Sequence, residues 1–145
     1  MDNIPEILDN WKGPPPSISV VTDGSRILGL GDQGINGMGI PIGKLALYVA
    51  AAGFDPDRVL PITLDLGTNN EEYLQDKFYL GTRMTRPNDQ VFFQFMDKFM
   101  TCMKAKWPKI LIQFEDFSSE HAFQTLDRYR HDYLMFNDDI QVNIS

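Results

Sequence analysis

The chain has 145 residues, of which 43% are hydrophobic and 23% charged, an ordinary globular composition at the length of one domain. Its formal net charge of −7 excludes nucleic acid as a partner, because phosphate-backbone binding requires clustered Lys and Arg. The single cysteine, Cys102, excludes an internal disulfide and a thiolate metal cluster.

No apolar run reaches the ~18 residues of a spanning helix, so no membrane partner is expected. The acidic first residues lack the basic and apolar regions of a signal peptide. Cytoplasmic localisation is the expectation, with a mitochondrial one the alternative if a parental leader is missing.

Ile4 to Trp11 has weak helical periodicity and stops at Pro14-Pro15-Pro16, which ends a lead-in segment, residues 1–16. Ile18 to Val21 reads as a short β-branched strand followed by an Asp23-Gly24 turn. Ile27 to Gly39 is too rich in glycine for a regular helix interior. Pro41 suits the first turn of a helix running through Lys44, Leu45, Leu47, Tyr48 and Ala51, with Gly53 as its stop. Val59 to Leu66 reads as a buried strand, and Asn69-Asn70-Glu71-Glu72 as the cap of a short helix. Between Pro87 and Lys106, Phe92, Phe93, Met96, Phe99, Met100 and Met103 recur at helical spacing, which marks a core face. Ile110 to Phe114 is a second buried strand. Ser118 or Ser119 caps a helix holding Ala122, Phe123, Leu126 and Tyr129, and Tyr133 to Phe136 is a last short strand. Strands alternating with helices predict an α/β fold, an open and mainly parallel sheet with helices on both faces.

Acidic residues stand where these strands end: Asp23 after the first, Asp65 in the second, Glu115-Asp116 after the third and Asp138-Asp139 after the last. Ligands of open parallel sheets bind outside the carboxyl ends of the strands, so these carboxylates can converge. An all-oxygen set without nearby Cys or His selects a hard divalent ion, Mg²⁺ or Mn²⁺. The alternative is that each acid is a turn residue or a helix cap. Gly29-Leu30-Gly31-Asp32-Gln33-Gly34 fits the dinucleotide pattern Gly-x-Gly-x-x-Gly. The run of glycines continues to Gly39, however, and no helix opens directly, which favours a substrate-side loop. Arg26 can hold a carboxylate in a bidentate fork. Lys44, placed in the first helical turn among apolar neighbours, has a lowered pKa suited to a general base, or else is a solvated surface lysine. His121 and His131 read as surface residues, and Cys102 as a small apolar helix residue.

Four runs together resemble the malic enzyme family, of the large type: Val20 to Asp32 (VVTDGSRILGLGD), Gly39 to Leu45 (GIPIGKL), Gln113 to Phe117 (QFEDF) and Phe136 to Gln141 (FNDDIQ). The resemblance covers residues 17–141, a partial substrate- and metal-binding domain, and leaves 142–145 as a tail outside the family pattern. It implies oxidative decarboxylation of L-malate to pyruvate and CO₂ with NAD or NADP and a divalent metal. By motif, Lys44 would be the general base and Asp138 would orient it. Arg26 and Leu28 would lie on the substrate and cofactor side, and Glu115, Asp116 and Asp139 would ligate the metal. The resemblance also implies that the family's catalytic tyrosine lies upstream of this chain and its nucleotide-binding domain downstream. The chain is therefore not expected to turn over malate alone. The competing expectations are a non-catalytic fragment that associates with itself, as a homo-oligomer, or with full-length subunits, and a nucleotide binder using the glycine loop.

Overall fold

The structure is a computed structural model that describes residues 3–142. In chain order it contains α1 (Ile4–Leu8), β1 (Ile18–Thr22), α2 (Gly39–Ala52), β2 (Val59–Thr63), α3 (Glu71–Gln75), α4 (Asp89–Lys106), β3 (Leu111–Phe114), α5 (Ser119–Tyr129), β4 (Met135–Asn137) and α6 (Asp138–Gln141). The strands form one sheet in the order β2-β1-β3-β4, with every pairing parallel.

β1 is buried along its whole length, as its unbroken apolar and β-branched sequence requires when both faces of a sheet are covered. On one face Ile18 and Val20 pack with Leu45 of α2, flanked by Tyr48 and Phe54. On the other, Val21, Ile112 and Phe114 meet Phe92, Met96, Phe99, Met100 and Met103 of α4, and Ala122 and Tyr129 of α5. The methionine and phenylalanine stripe is therefore core, and Cys102 packs half-buried against it. The chain leaves β1 for β2 on one side and returns to β3 on the other. The strand order therefore reverses between β1 and β3, and the loops that follow these two strands meet at their carboxyl ends, where the Arg26 amide donates to the Asp116 carbonyl.

The helix ends follow local chemistry. Gly53, at φ 73°, stops α2 in the left-handed conformation that glycine adopts without a Cβ penalty. Asn70 and Asn88 cap α3 and α4 by accepting from the amides of Glu72 and Val91. Ser118 sits at the N-cap of α5 without a side-chain cap bond.

Several expectations need correction. The first helix ends at Leu8 instead of reaching Trp11, whose indole donates to the Pro14 carbonyl at 2.8 Å. Within the lead-in segment, Ile4 and Leu8 join the main core. The second strand ends at Thr63 and is half-buried, because it lies at the sheet edge, the position that tolerates Pro61. His121 is half-buried rather than free on the surface: its ring stacks on Phe92 with centroids 3.8 Å apart, and its Nε2 lies 3.1 Å from Asp89. A 3-10 turn (Gly34–Met38) runs straight into α2, giving one helical stretch, Gly34–Ala52, long and apolar enough by composition to cross a membrane. Here that stretch covers a sheet, tied down by Lys44 and by the hydrogen bond from Tyr48 to Gln113.

Candidate functional site

The site forms at the carboxyl ends of β3 and β4. Glu115 and Asp116 follow β3 directly, and Asp138 and Asp139 open α6 directly after β4, so the parallel register of β3 with β4 brings the two acidic pairs together. One carboxylate oxygen from each of Glu115, Asp116 and Asp139 lies within 4.8 Å of the others. Asp116 adopts a left-handed backbone conformation, φ 54°, the only non-glycine residue at positive φ among those described. That costs on the order of 1–3 kcal/mol. Its amide donates to Asp139 Oδ2 at 2.9 Å, so this strained turn is what joins the two strand ends.

Lys44 reaches this cluster from α2. Its ammonium lies 2.9 Å from Asp138 and 3.2 Å from Glu115. The expected lowering of its pKa is overturned. Lys44 stands in the second turn of α2, beyond the first-turn reach of the helix dipole. Burial opposes its charge, but the hydrogen bond to Asp138 and the charge of Glu115 outweigh burial and raise its pKa.

Four carboxylates against one ammonium leave an excess of negative charge. Asp116 is pushed up to about 6, by burial first and then by repulsion from Asp139. Burial also raises Glu115 and Asp139, against the pull of Lys44 on Glu115 and of the Asp116 amide on Asp139. Repulsion of this kind, among oxygen donors only, fits a hard divalent cation.

Of the other acids, Asp23 and Asp65 do not join the cluster. Asp23 accepts from Ser25 and faces Arg86, while Asp65 accepts from the Thr82 amide and hydroxyl. Arg26 and Leu28 lie on the exposed loop after β1. The Arg26 guanidinium donates to Ser119 and its amide to the Asp116 carbonyl, so in this structure it grips α5 and not a carboxylate. Leu28 lines an open cleft of about 330 Å³ together with Ile27, Gly39, Ile40, Gly43, Lys44, Leu47, Glu115 and Asp116. A larger apolar groove, about 540 Å³, lies away from this chemistry, between α1, β2 and α4.

The glycine pattern does not follow a strand directly, since β1 ends at Thr22, and the helical stretch starts only at its last glycine, Gly34. Its first half is a turn closed by an Ile27–Gly31 bridge. A Cβ on Gly24 would stand 2.1 Å from the Gly34 carbonyl oxygen, so the loop requires glycine there in order to fold on itself.

Two site residues carried no assigned role from the sequence. Gln113 is fully buried within β3. It accepts from the Tyr48 hydroxyl at 2.6 Å and donates to Glu115 at 2.6 Å, fixing the carboxylate from below. The signal available was one amide in an otherwise apolar strand. Arg86 gave no such signal, because it lies in an irregular segment far along the chain.

A family model described as the malic enzyme N-terminal domain matches residues 1–130. The chain belongs to the malic enzyme family. Its malic enzyme relatives include the NADP-dependent malic enzyme of Dictyostelium discoideum, 56% identical over 96% of this chain and 26% of that protein. The NAD-dependent malic enzyme 2, mitochondrial, of Arabidopsis thaliana is 56% identical over 91% of this chain and 22% of that protein. The NAD-dependent malic enzyme of Escherichia coli is 51% identical over 96% and 25%. The crystal structure of malic enzyme from Pyrococcus horikoshii superposes with a TM-score of 0.53 at 26% identity, covering 92% of this chain and 25% of that one. The chain thus spans about a quarter of the length of the malic enzymes it matches.

Proposed function

We propose that this chain carries the metal- and malate-binding segment of a malic enzyme. The parent reaction is oxidative decarboxylation of L-malate to pyruvate and CO₂ with NAD or NADP. The observation that carries this reading is the convergence of Glu115, Asp116 and Asp139 beside the Lys44–Asp138 pair.

Glu115, Asp116 and Asp139 would hold Mg²⁺ or Mn²⁺, which when bound supplies Lewis-acid polarisation of the substrate's C2 oxygen. Lys44 is the group that takes the proton of the malate hydroxyl. Asp138, buried and 2.9 Å away, holds the lysine in place through that transfer. The charge of Glu115 now helps keep Lys44 protonated. Committing that charge elsewhere removes one of the two supports, and the lysine pKa falls toward the range of a base. Gln113 keeps Glu115 oriented meanwhile. Arg26 and Leu28, on the loop at the rim, are assigned to the substrate carboxylate and the cofactor side. Hydride transfer also needs a bound nicotinamide, and by the family resemblance the domain that holds it is not among these residues. The expected behaviour is metal and malate binding without cofactor reduction.

The test is calorimetric titration of the purified chain with Mn²⁺, with Asp116→Asn as control, followed by L-malate at saturating Mn²⁺. Saturable binding that weakens by at least about tenfold in the variant is expected, as for loss of a ligand. Absence of site-specific Mn²⁺ binding would sink the reading.

A second reading is association with another copy or with full-length subunits. It is favoured by the apolar residues left outward on and beside α2, where Leu47 is 64% and Leu28 76% exposed. Light scattering across a concentration series tests it, and a monodisperse monomer speaks against it. Cytoplasmic or mitochondrial residence is decided by imaging the tagged parent protein.

A further inference from the structure

The loop that carries Arg26 and Leu28 is held by a side chain from a distant part of the sequence. Arg86 donates through Nε to Asp32 Oδ2 and through Nη2 to Asp32 Oδ1, each at 2.8 Å, a bidentate fork. The same Nη2 donates to the Asp23 carbonyl at 2.9 Å, and Nη1 lies 3.4 Å from the Asp23 carboxylate. Asp23 and Asp32 stand at the two ends of the glycine loop, so one guanidinium staples both ends.

Asp32 extends the staple. Its carboxylate also accepts from the Gly34 amide at 3.0 Å, the Thr68 hydroxyl at 3.0 Å and the Asn69 amide at 2.8 Å. On the far side Asp23 accepts from the Ser25 hydroxyl at 2.6 Å, and the Ser25 hydroxyl oxygen accepts from the Ser118 amide at 2.8 Å. The next residue, Arg26, donates its amide to the Asp116 carbonyl. A continuous set of bonds therefore runs from Arg86 through both loop ends to the turn bearing Asp116. Asp23 is 2% exposed, and Arg86 is its counter-charge.

We propose that Arg86 is a positioning residue that fixes the loop 23–34, and through it Arg26 and Leu28, over the malate side of the site. This rests on the malate reading above. Arg86 bonds to none of Glu115, Asp116 or Asp139, which the β3–β4 register and the bond from the Asp116 amide to Asp139 hold together without it, so its removal separates substrate positioning from metal binding.

The test compares the full chain with Arg86→Met and Arg86→Lys. The lysine variant keeps a positive charge near buried Asp23, and so preserves folding if the methionine variant does not fold, but it cannot make the fork. Hydrogen exchange is followed at the amides of Arg26, Gln33, Gly34 and Asn69, with β1 and β3 amides as the reference for global stability. Exchange at the loop amides is expected to speed up by about tenfold or more in both variants, with the strand amides unchanged. By calorimetry Mn²⁺ affinity should stay within about twofold, while L-malate affinity at saturating Mn²⁺ falls by about tenfold. Unchanged loop exchange in Arg86→Lys overturns the proposal, and so does a loosened loop with unaltered malate affinity. If the unmodified chain binds Mn²⁺ but no malate, the malate reading fails, and loop exchange alone decides whether Arg86 holds the loop.

Discussion

Lys44 and Asp116 show how single residues reconcile folding with chemistry. Lys44 neutralises part of a carboxylate cluster that the sheet forces together, and it is anchored at 2.9 Å and 3.2 Å to two of the acids. Lys44→Met is expected to destabilise the metal-free chain by about 1–3 kcal/mol at pH 7, since it leaves partly buried carboxylates without their cation. The loss should shrink near pH 5, where Glu115, its pKa raised, takes up a proton; urea unfolding at both pH values checks this. Asp116→Asn acts in the opposite sense. Asparagine tolerates the left-handed backbone at position 116 and removes the repulsion with Asp139. The variant should unfold at a higher temperature than the parent at pH 7.5 without metal, while binding Mn²⁺ at least about tenfold more weakly. At this scale the sequence already displayed the acids and Lys44, because each stands beside an apolar run or a proline. It did not display Arg86, nor the sign of the Lys44 shift. Both depend on residues 54 or more positions away, the separation of Asp32 from Arg86.

At the scale of elements, caps and core faces follow from local chemistry. Asn88 caps α4 through the Val91 amide, and Asn88→Ala should cost about 1 kcal/mol. Met96 lies on the α4 stripe with no exposed surface, and Met96→Ala should cost about 2–5 kcal/mol. Both are measurable by equilibrium denaturation, and the comparison distinguishes a helix end from a core position. These features were legible because helix periodicity and capping span only a few residues. The misread boundaries have physical causes as well. The first helix ends early once the chain turns toward Pro14, and β2 ends at Thr63 because, after a last bond from the Leu64 amide to Thr22, the chain turns under Asp65 and Gly67. His121 was misread because its stacking partner, Phe92, belongs to another helix.

For the whole molecule, the excess of acids at one end of the sheet makes stability depend on pH. Asp116, Glu115 and Asp139 all have folded-state pKa values above the ordinary carboxylate range. At these three groups the folded chain therefore binds more protons than the unfolded one once pH exceeds about 4. This contribution to stability is present below that pH and is lost as pH rises through the raised values, which for Asp116 means about 6. The metal-free chain should accordingly melt at a higher temperature at pH 5.5 than at pH 7.5. Saturating Mn²⁺ should reverse that order by favouring the ionised carboxylates. A flat profile, indifferent to Mn²⁺, would count against a cation site.

By itself the sequence determined the α/β class, the parallel pairing and most helix ends, and its resemblance to malic enzymes named the candidate ligands. Those properties rest on local periodicity, on β-branched runs and on motifs contiguous in the chain. Only the tertiary structure decided which carboxylates meet. Asp23 and Asp65 also follow apolar runs, yet Asp23 is taken by Arg86 and Asp65 by Thr82, whereas the β3–β4 register delivers Glu115, Asp116 and Asp139 to one point. It also decided that Lys44 is held charged, that Gln113 and Tyr48 underpin Glu115, and that Arg86 staples the glycine loop. Apart from the Gln113–Glu115 bond within one strand end, each of these is a contact between residues remote in sequence, and its geometry is set by strand order and register rather than by any local pattern.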